Sequence, residues 1–203
     1  ASLRKRFLKD RRYEGGAEME WLGAGVLRVK LQPGPRIKVA FEGQGLPRWG
    51  LKTWVPLVTA SRFSRELYEE GERRLIRHFL DEGFLDVKVS HRLDTLVGPE
   101  ANPEEVRLTY VIQLGPRVFA QGLRFEGQQA LTERELRKVA GLPSRDFGAL
   151  WVRPPKASPG RLSEVEDRVR MYYTQRGFPE VRVRRRLERS DEKTLVVLSI
   201  REG

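Results

Sequence analysis

The sequence predicts an α+β protein built from tandem β-α-α-β-β modules, each a three-stranded mixed sheet covered by two helices. Three observations lead there. Leu162, Val165, Val169, Tyr172 and Tyr173 fall at helical spacing, Gly177 stops the helix, and Val181, Val183, Arg185 and Leu187 then alternate at period two. The same change of period occurs earlier, where Leu67, Leu75, Ile76, Phe79 and Leu80 precede Gly83, and Val87, Val89, His91 and Leu93 follow it. Finally, three alternating strands, Leu27/Val29/Leu31, Leu108/Tyr110/Ile112 and Val196/Leu198/Ile200, each run into a glycine: Gly34, Gly115 and Gly203, spaced by 81 and 88 residues.

Composition fits small, well-solvated modules. The chain has 203 residues, of which 39% are hydrophobic and 33% charged, the balance of a folded protein with a polar surface. No run of 18 or more apolar residues exists, and Ala1-Ser2-Leu3-Arg4-Lys5 lacks the apolar stretch of a signal peptide, so any targeting or membrane-spanning part is expected outside this sequence. The absence of cysteine excludes disulfides and thiolate chemistry, and two histidines, His78 and His91, are too few for a histidine metal cluster. The expectation is no cofactor and no metal. The net charge of +11 favours an anionic partner, whether nucleic acid, lipid headgroups or acidic polypeptide.

In chain order, Leu3, Phe7 and Leu8 read as the end of a helix. Met19 and Trp21 alternate with Glu18 and Glu20, and Gly23-Ala24-Gly25 turns the chain into Leu27, Val29 and Leu31. First strands then follow the repeat glycines, Arg36 to Phe41 and Arg117 to Phe125, closing on Phe41-Glu42-Gly43 and Phe125-Glu126-Gly127. Thr132-Glu133-Arg134-Glu135 is a capping box that opens a short helix ended by Gly141. Its counterpart is interrupted by Pro47, Gly50 and Pro56, so a short or broken helix is expected there. Trp151 to Gly160 reads as a loop between helices and Leu96 to Pro103 as a long hairpin loop. Boundaries near Gly34 and Gly115 give three segments: 1–34, the C-terminal part of a truncated module, and complete modules at 35–115 and 116–203. These boundaries are too short for flexible linkers.

This pattern resembles the polypeptide-transport-associated (POTRA) domains of the outer-membrane barrel-assembly and translocation family. The residues that carry the resemblance are Phe125-Glu126-Gly127, Thr132, Tyr173-Thr174-Gln175-Arg176-Gly177-Phe178, Val181-Arg182-Val183 and Leu198 to Gly203. The earlier copy offers Phe41-Glu42-Gly43, Phe79 to Phe84, Val87-Lys88-Val89 and Ile112 to Val118, with Phe79 where the family usually has tyrosine. The resemblance implies non-enzymatic domains on the periplasmic side of the bacterial outer membrane, preceding a C-terminal membrane barrel. Their implied partners are unfolded outer-membrane polypeptides and accessory assembly proteins.

The residues themselves point to a site only through the middle strand of each module. If that strand lies on a sheet edge, its unpaired N–H and C=O groups would accept an extended polypeptide by strand addition. The candidate residues are Val87, Lys88, Val89, Ser90, His91 and Arg92 in one module and Val181, Arg182, Val183, Arg184, Arg185 and Arg186 in the next, with Lys88, Ser90, Arg92, Arg182, Arg184 and Arg186 outward. The same charges would also serve as edge protection against aggregation. Phe84, Phe178, Tyr172 and Tyr173 read as core, and Trp49, Trp54 and Trp151 as packing residues in irregular segments. The alternative class is a basic α/β nucleic-acid-binding module, but neither outward stacking aromatics nor a GxxG clamp is present, so specific nucleic-acid recognition is not expected. Anionic lipid headgroups remain a partner that charge alone would allow.

Overall fold

Each of the two three-stranded sheets places its central strand last in the sequence. In the computed structural model the described residues are 12, 16–22, 25–32, 34–56, 63–97, 103–142, 154–190 and 194–203. The expected N-terminal helix end, residues 23 and 24 of the expected turn, Trp151 and residues 98–102 of the expected Leu96–Pro103 loop lie outside them, and the strands flanking that loop run further than expected, to Val97 and from Pro103. Among the described residues the strands are β1 (Gly16–Trp21), β2 (Leu27–Gln32), β3 (Arg36–Glu42), β4 (Lys88–Val97), β5 (Pro103–Gln113), β6 (Gly122–Glu126), β7 (Arg182–Arg189) and β8 (Thr194–Arg201). The helices are α1 (Arg65–Asp81), α2 (Glu133–Ala140) and α3 (Pro159–Gln175), with a single 3-10 turn at Leu51–Trp54. That turn stands where Pro47, Gly50 and Pro56 allow no longer helix.

The sheet orders are β3-β5-β4 and β6-β8-β7, the first pair parallel and the second antiparallel in both. The registers repeat as well: Phe41, Tyr110 and His91 form one rung, and Phe125, Leu198 and Arg185 form the corresponding rung. By compactness the chain divides into one unit of Ala1–His78 with Val87–Leu114 and a second of Phe79–Asp86 with Gly115–Gly203.

In the second unit, Leu123, Phe125, Val183, Val196, Leu198 and Ile200 from the sheet meet Leu136, Ala140, Leu162, Val165, Val169 and Tyr173 from the helices in one buried core. The capping box forms as written, Thr132 N–H donating to Glu135 Oε2 at 3.0 Å and Glu135 N–H to Thr132 Oγ1 at 3.3 Å. Helix α3 begins earlier than expected, because Ser158 caps it and Pro159 is compatible with its first turn. Strand β6 begins later than expected, at Gly122. The preceding backbone is satisfied elsewhere: Val118 N–H donates to Gly83 O at 2.8 Å, Ala120 N–H to Pro155 O at 2.8 Å and Gln121 N–H to Thr194 O at 3.0 Å.

In the first unit Ile37, Leu51, Val55, Leu75, Leu108, Tyr110 and Ile112 are buried. The β1–β2 ribbon is a separate two-stranded sheet in which Met19 opposes Val29 and Trp21 opposes Leu27, all on one face, while Glu18, Glu20, Arg28 and Lys30 hold the other. That apolar face is open, with Met19 70% and Trp21 67% exposed.

The Phe-x-Gly motifs have a shared physical cause. A Cβ at Gly43 would fall on the Ile112 carbonyl oxygen, and one at Gly127 on the Ile200 carbonyl oxygen, at the same point of the two sheets. Only glycine lets the chain leave the first strand so close to the central one.

Candidate functional site

Strands β4 and β7 are edges: β4 is bonded only to β5 and β7 only to β8 among the described residues. Ten residues of β4 and eight of β7 therefore present one open row of backbone donors and acceptors each. The opposite edges are less available. Strand β6 has five residues, the Phe119–Lys156 bridge lies just ahead of it, and the Arg12–Arg36 bridge lies at the start of β3.

The sequence-predicted residues divide by face. Lys88, Ser90, Arg92, Arg182, Arg184 and Arg186 have exposed side chains, whereas Val89, His91, Val183 and Arg185 alternate with them toward the helices. Val87 and Val181 lie just ahead of β4 and β7, and Val181 is buried. On the inward face a side chain has no access to a ligand along the edge, so those residues offer backbone groups only.

Two inward positions tie the edges to the helices. His91 Nδ1 lies 2.6 Å from Glu72 Oε1 on α1, with the Tyr68 ring 4.6 Å from the imidazole. In the second unit the Arg185 guanidinium donates to Ser163 Oγ at 2.7 Å and to Glu166 Oε2 on α3 at 3.3 Å. Nothing local in the sequence marks either helix partner.

On the outer face, Arg186 meets Glu126 and Glu188, each at 2.9 Å, and Arg124 meets Glu188 at 3.0 Å. The first unit repeats this, Arg92 meeting Glu42 at 3.3 Å and Asp94 at 3.0 Å. Glu126 and Glu188 hold the Arg186 cation and push its pKa above the ordinary arginine value, the Glu188 hydrogen bond contributing most. These exposed pairs are worth little individually but fix the arginine stems against the sheet.

The aromatic residues also separate. Tyr173 and Phe178 meet edge to face at 5.7 Å, and Phe178 packs half-buried against the second core. Trp54 stacks on His78 at 4.4 Å. Trp49, expected to pack, is instead 88% exposed beside a cavity of about 640 Å³ that Val39 and Phe41 also line, because the Pro47–Gly50 bends carry it away from the core. Among the described residues no group of three or more His, Cys, Asp or Glu side chains is placed to hold a metal ion, and no helix is long and apolar enough to cross a membrane.

The fold and the glycine-closed edges define a class: β-α-α-β-β modules with one long open strand per sheet. The POTRA family model, described as surface antigen variable number repeat, matches residues 120–203. A Treponema pallidum protein named "Putative outer membrane protein assembly factor" is 30% identical over 123 residues, covering 61% of this chain and 14% of the relative. The crystal structure of POTRA domains 3–5 of Haemophilus influenzae BamA matches with a TM-score of 0.51 at 17% identity, over 98% of this chain and 77% of that one. BamA of Haemophilus ducreyi lacking POTRA domains 1–3 matches with a TM-score of 0.55 at 17% identity, over 84% of this chain and 29% of that one. Residues 120–203 thus match as a POTRA domain, and the fold of the described residues is the one that these POTRA structures share. It spans 14% of the length of the curated relative it matches.

Proposed function

We propose that this chain is the polypeptide-receiving part of an outer-membrane protein assembly factor, on the periplasmic side, and that extended segments of unfolded barrel substrates or accessory proteins add as a further strand along β4 and β7. The observation that carries this reading is that among the described residues β7, like β4, is bonded on one side only while its inward residues are fixed to the core. Backbone pairing gives affinity with little dependence on side-chain identity, which suits a receiver of many substrates. The domains act by binding, not catalysis, and a membrane barrel in the longer protein is the partner to which substrates pass. The division into 1–34, 35–115 and 116–203 belongs to the same proposal. The open apolar face of Met19, Trp21, Leu27 and Val29 is what the last two strands of a preceding module would present to its helices.

The test is a pair of proline variants, Arg182→Pro and Val183→Pro. Antiparallel donors alternate between neighbour and open side, so one of the two removes an outward N–H and the other a ladder bond. The first is expected to stay folded by circular dichroism and to lose binding of barrel-strand peptides. Two folded variants that bind like the parent contradict strand addition here.

A further inference from the structure

The outer face of the second sheet carries three arginines that its own carboxylates do not serve. Arg182 opposes Arg201 across the β7–β8 ladder, and Arg184 lies two residues along from Arg182 on the same face. Directly opposed side chains have Cβ atoms about 5 Å apart and diagonal ones about 7 Å, so three guanidinium groups share one small area. Among the described residues none of the three guanidinium groups has an ion pair or hydrogen bond, although those of Arg186 and Arg124 alongside them are paired to Glu126 and Glu188. The three arginines, with Ser199 and Ile200, line a concavity of about 230 Å³.

The first unit shows that the fold does not require this. The residues at the matching rungs are Lys88, Gln113 and Ser90, with Val111 in place of Ser199. The paired arginine recurs in both units, as Arg92 with Glu42 and Asp94 and as Arg186 with Glu126 and Glu188, whereas the unpaired three do not. Like charges directly opposed on a sheet are unfavourable, so a cluster of three without a counter-charge costs stability unless an anion relieves it.

We propose that the second unit binds a phosphate monoester between Arg182, Arg184 and Arg201. A carboxylate brings one charge and two acceptor oxygens, and two guanidinium forks already saturate it. A phosphate monoester brings close to two charges and three terminal oxygens, which matches three arginines. Ser199 is engaged by Arg186 at 3.2 Å and shapes the floor of the concavity without being needed as a donor. The site uses the face of the sheet, not its edge, and stands independently of strand addition. The monoester could be soluble or carried by a lipid headgroup, and the test separates the two.

The 203-residue chain is titrated with glycerol 3-phosphate by NMR, and its binding to phosphatidylcholine vesicles with and without phosphatidic acid is measured by flotation. Saturable shifts at Arg182, Arg184 and Arg201 are expected, with about tenfold weaker binding for each of R184Q and R201Q, as lost charge-assisted hydrogen bonds imply. The Arg124→Gln variant, whose arginine is paired outside the site, is expected to bind like the parent. Flotation with phosphatidic acid that glycerol 3-phosphate competes away makes the source a lipid; saturable shifts without flotation make it soluble. The proposal fails if shifts never saturate, if R124Q weakens binding as much as R184Q, or if an oligonucleotide binds this face and glycerol 3-phosphate does not compete.

Discussion

Glu72 Oε1 lies 2.6 Å from His91 Nδ1, and at the matching positions of the second unit Glu166 Oε2 lies 3.3 Å from the Arg185 guanidinium. Each pair holds the middle of an edge strand against the second helix of its module, which keeps the backbone extended while its outer side stays open. Double-mutant cycles of His91 with Glu72 and of Arg185 with Glu166, each residue changed to Ala, are expected to give coupling of about 0.5–1 kcal/mol in urea unfolding, the range for partly exposed pairs. Coupling indistinguishable from zero in both would mean that the helices do not hold the edges through these contacts.

Gly127 has φ +82°, and its missing Cβ makes room for the Ile200 carbonyl. Gly127→Ala combines a left-handed backbone with a backbone collision, and a loss of about 2–4 kcal/mol is expected for the second unit. Gly160 in the first turn of α3 has nothing within 4 Å of a built Cβ, so Gly160→Ala is expected to be neutral or to stabilise by up to about 1 kcal/mol. Chemical denaturation of both variants checks the contrast.

Gly71 and Tyr110 occupy the places that Val165 and Leu198 fill in the second unit. A Cβ at Gly71 would run into the Tyr110 hydroxyl, which donates to the Tyr68 carbonyl at 3.1 Å. The two cores thus solve one packing problem with a small–large and a medium–medium pair. Gly71→Val and Tyr110→Leu are each expected to destabilise the first unit, and the double variant to recover about 1–3 kcal/mol relative to their sum. Simple additivity would contradict this reading.

Glu202 caps the turn before α2. Its carboxylate accepts from Gln129 N–H at 2.8 Å, Ala130 N–H at 3.0 Å and the Tyr173 hydroxyl at 2.9 Å. Burial raises its pKa, but these three donors outweigh burial and hold it below the usual carboxylate range. A carboxyl lowered in the folded state contributes stability above its unfolded pKa of about 4.5 and loses it as pH falls through the folded value. Glu202→Gln is therefore expected to be less stable than the parent at pH 7, with the gap closing below about pH 4 in urea titrations. A gap independent of pH would assign the effect to packing.

The repeat was legible because glycines at positive φ and a change from period 3.6 to period two are local signals. Gly83, Gly115, Gly127, Gly141 and Gly177 all adopt the left-handed backbone that such turns and stops need. The edge strands were legible only by resemblance, since alternation in Val181 to Leu187 does not say which strand of three is central. Glu72–His91 and Gly71–Tyr110 were hidden because each joins a helix to a strand across a long sequence separation, and nothing local marks the partner. The arginine cluster was hidden for a related reason. The pattern puts Arg182, Arg184 and Arg186 outward alike, and only cross-strand register pairs Arg186 with Glu126 and sets Arg182 opposite Arg201.

Amide hydrogen exchange along β7 tests strand addition most directly. In the free chain, alternate N–H groups of Arg182–Arg189 that bond to β8 are expected to be protected, and those between them to exchange rapidly. Adding an excess of an extended barrel-strand peptide is expected to slow the rapid set selectively, leaving β6 and the exposed helix surfaces unchanged. An unchanged rapid set under conditions where the peptide is bound, or protection confined to α3 or β6, would contradict the account.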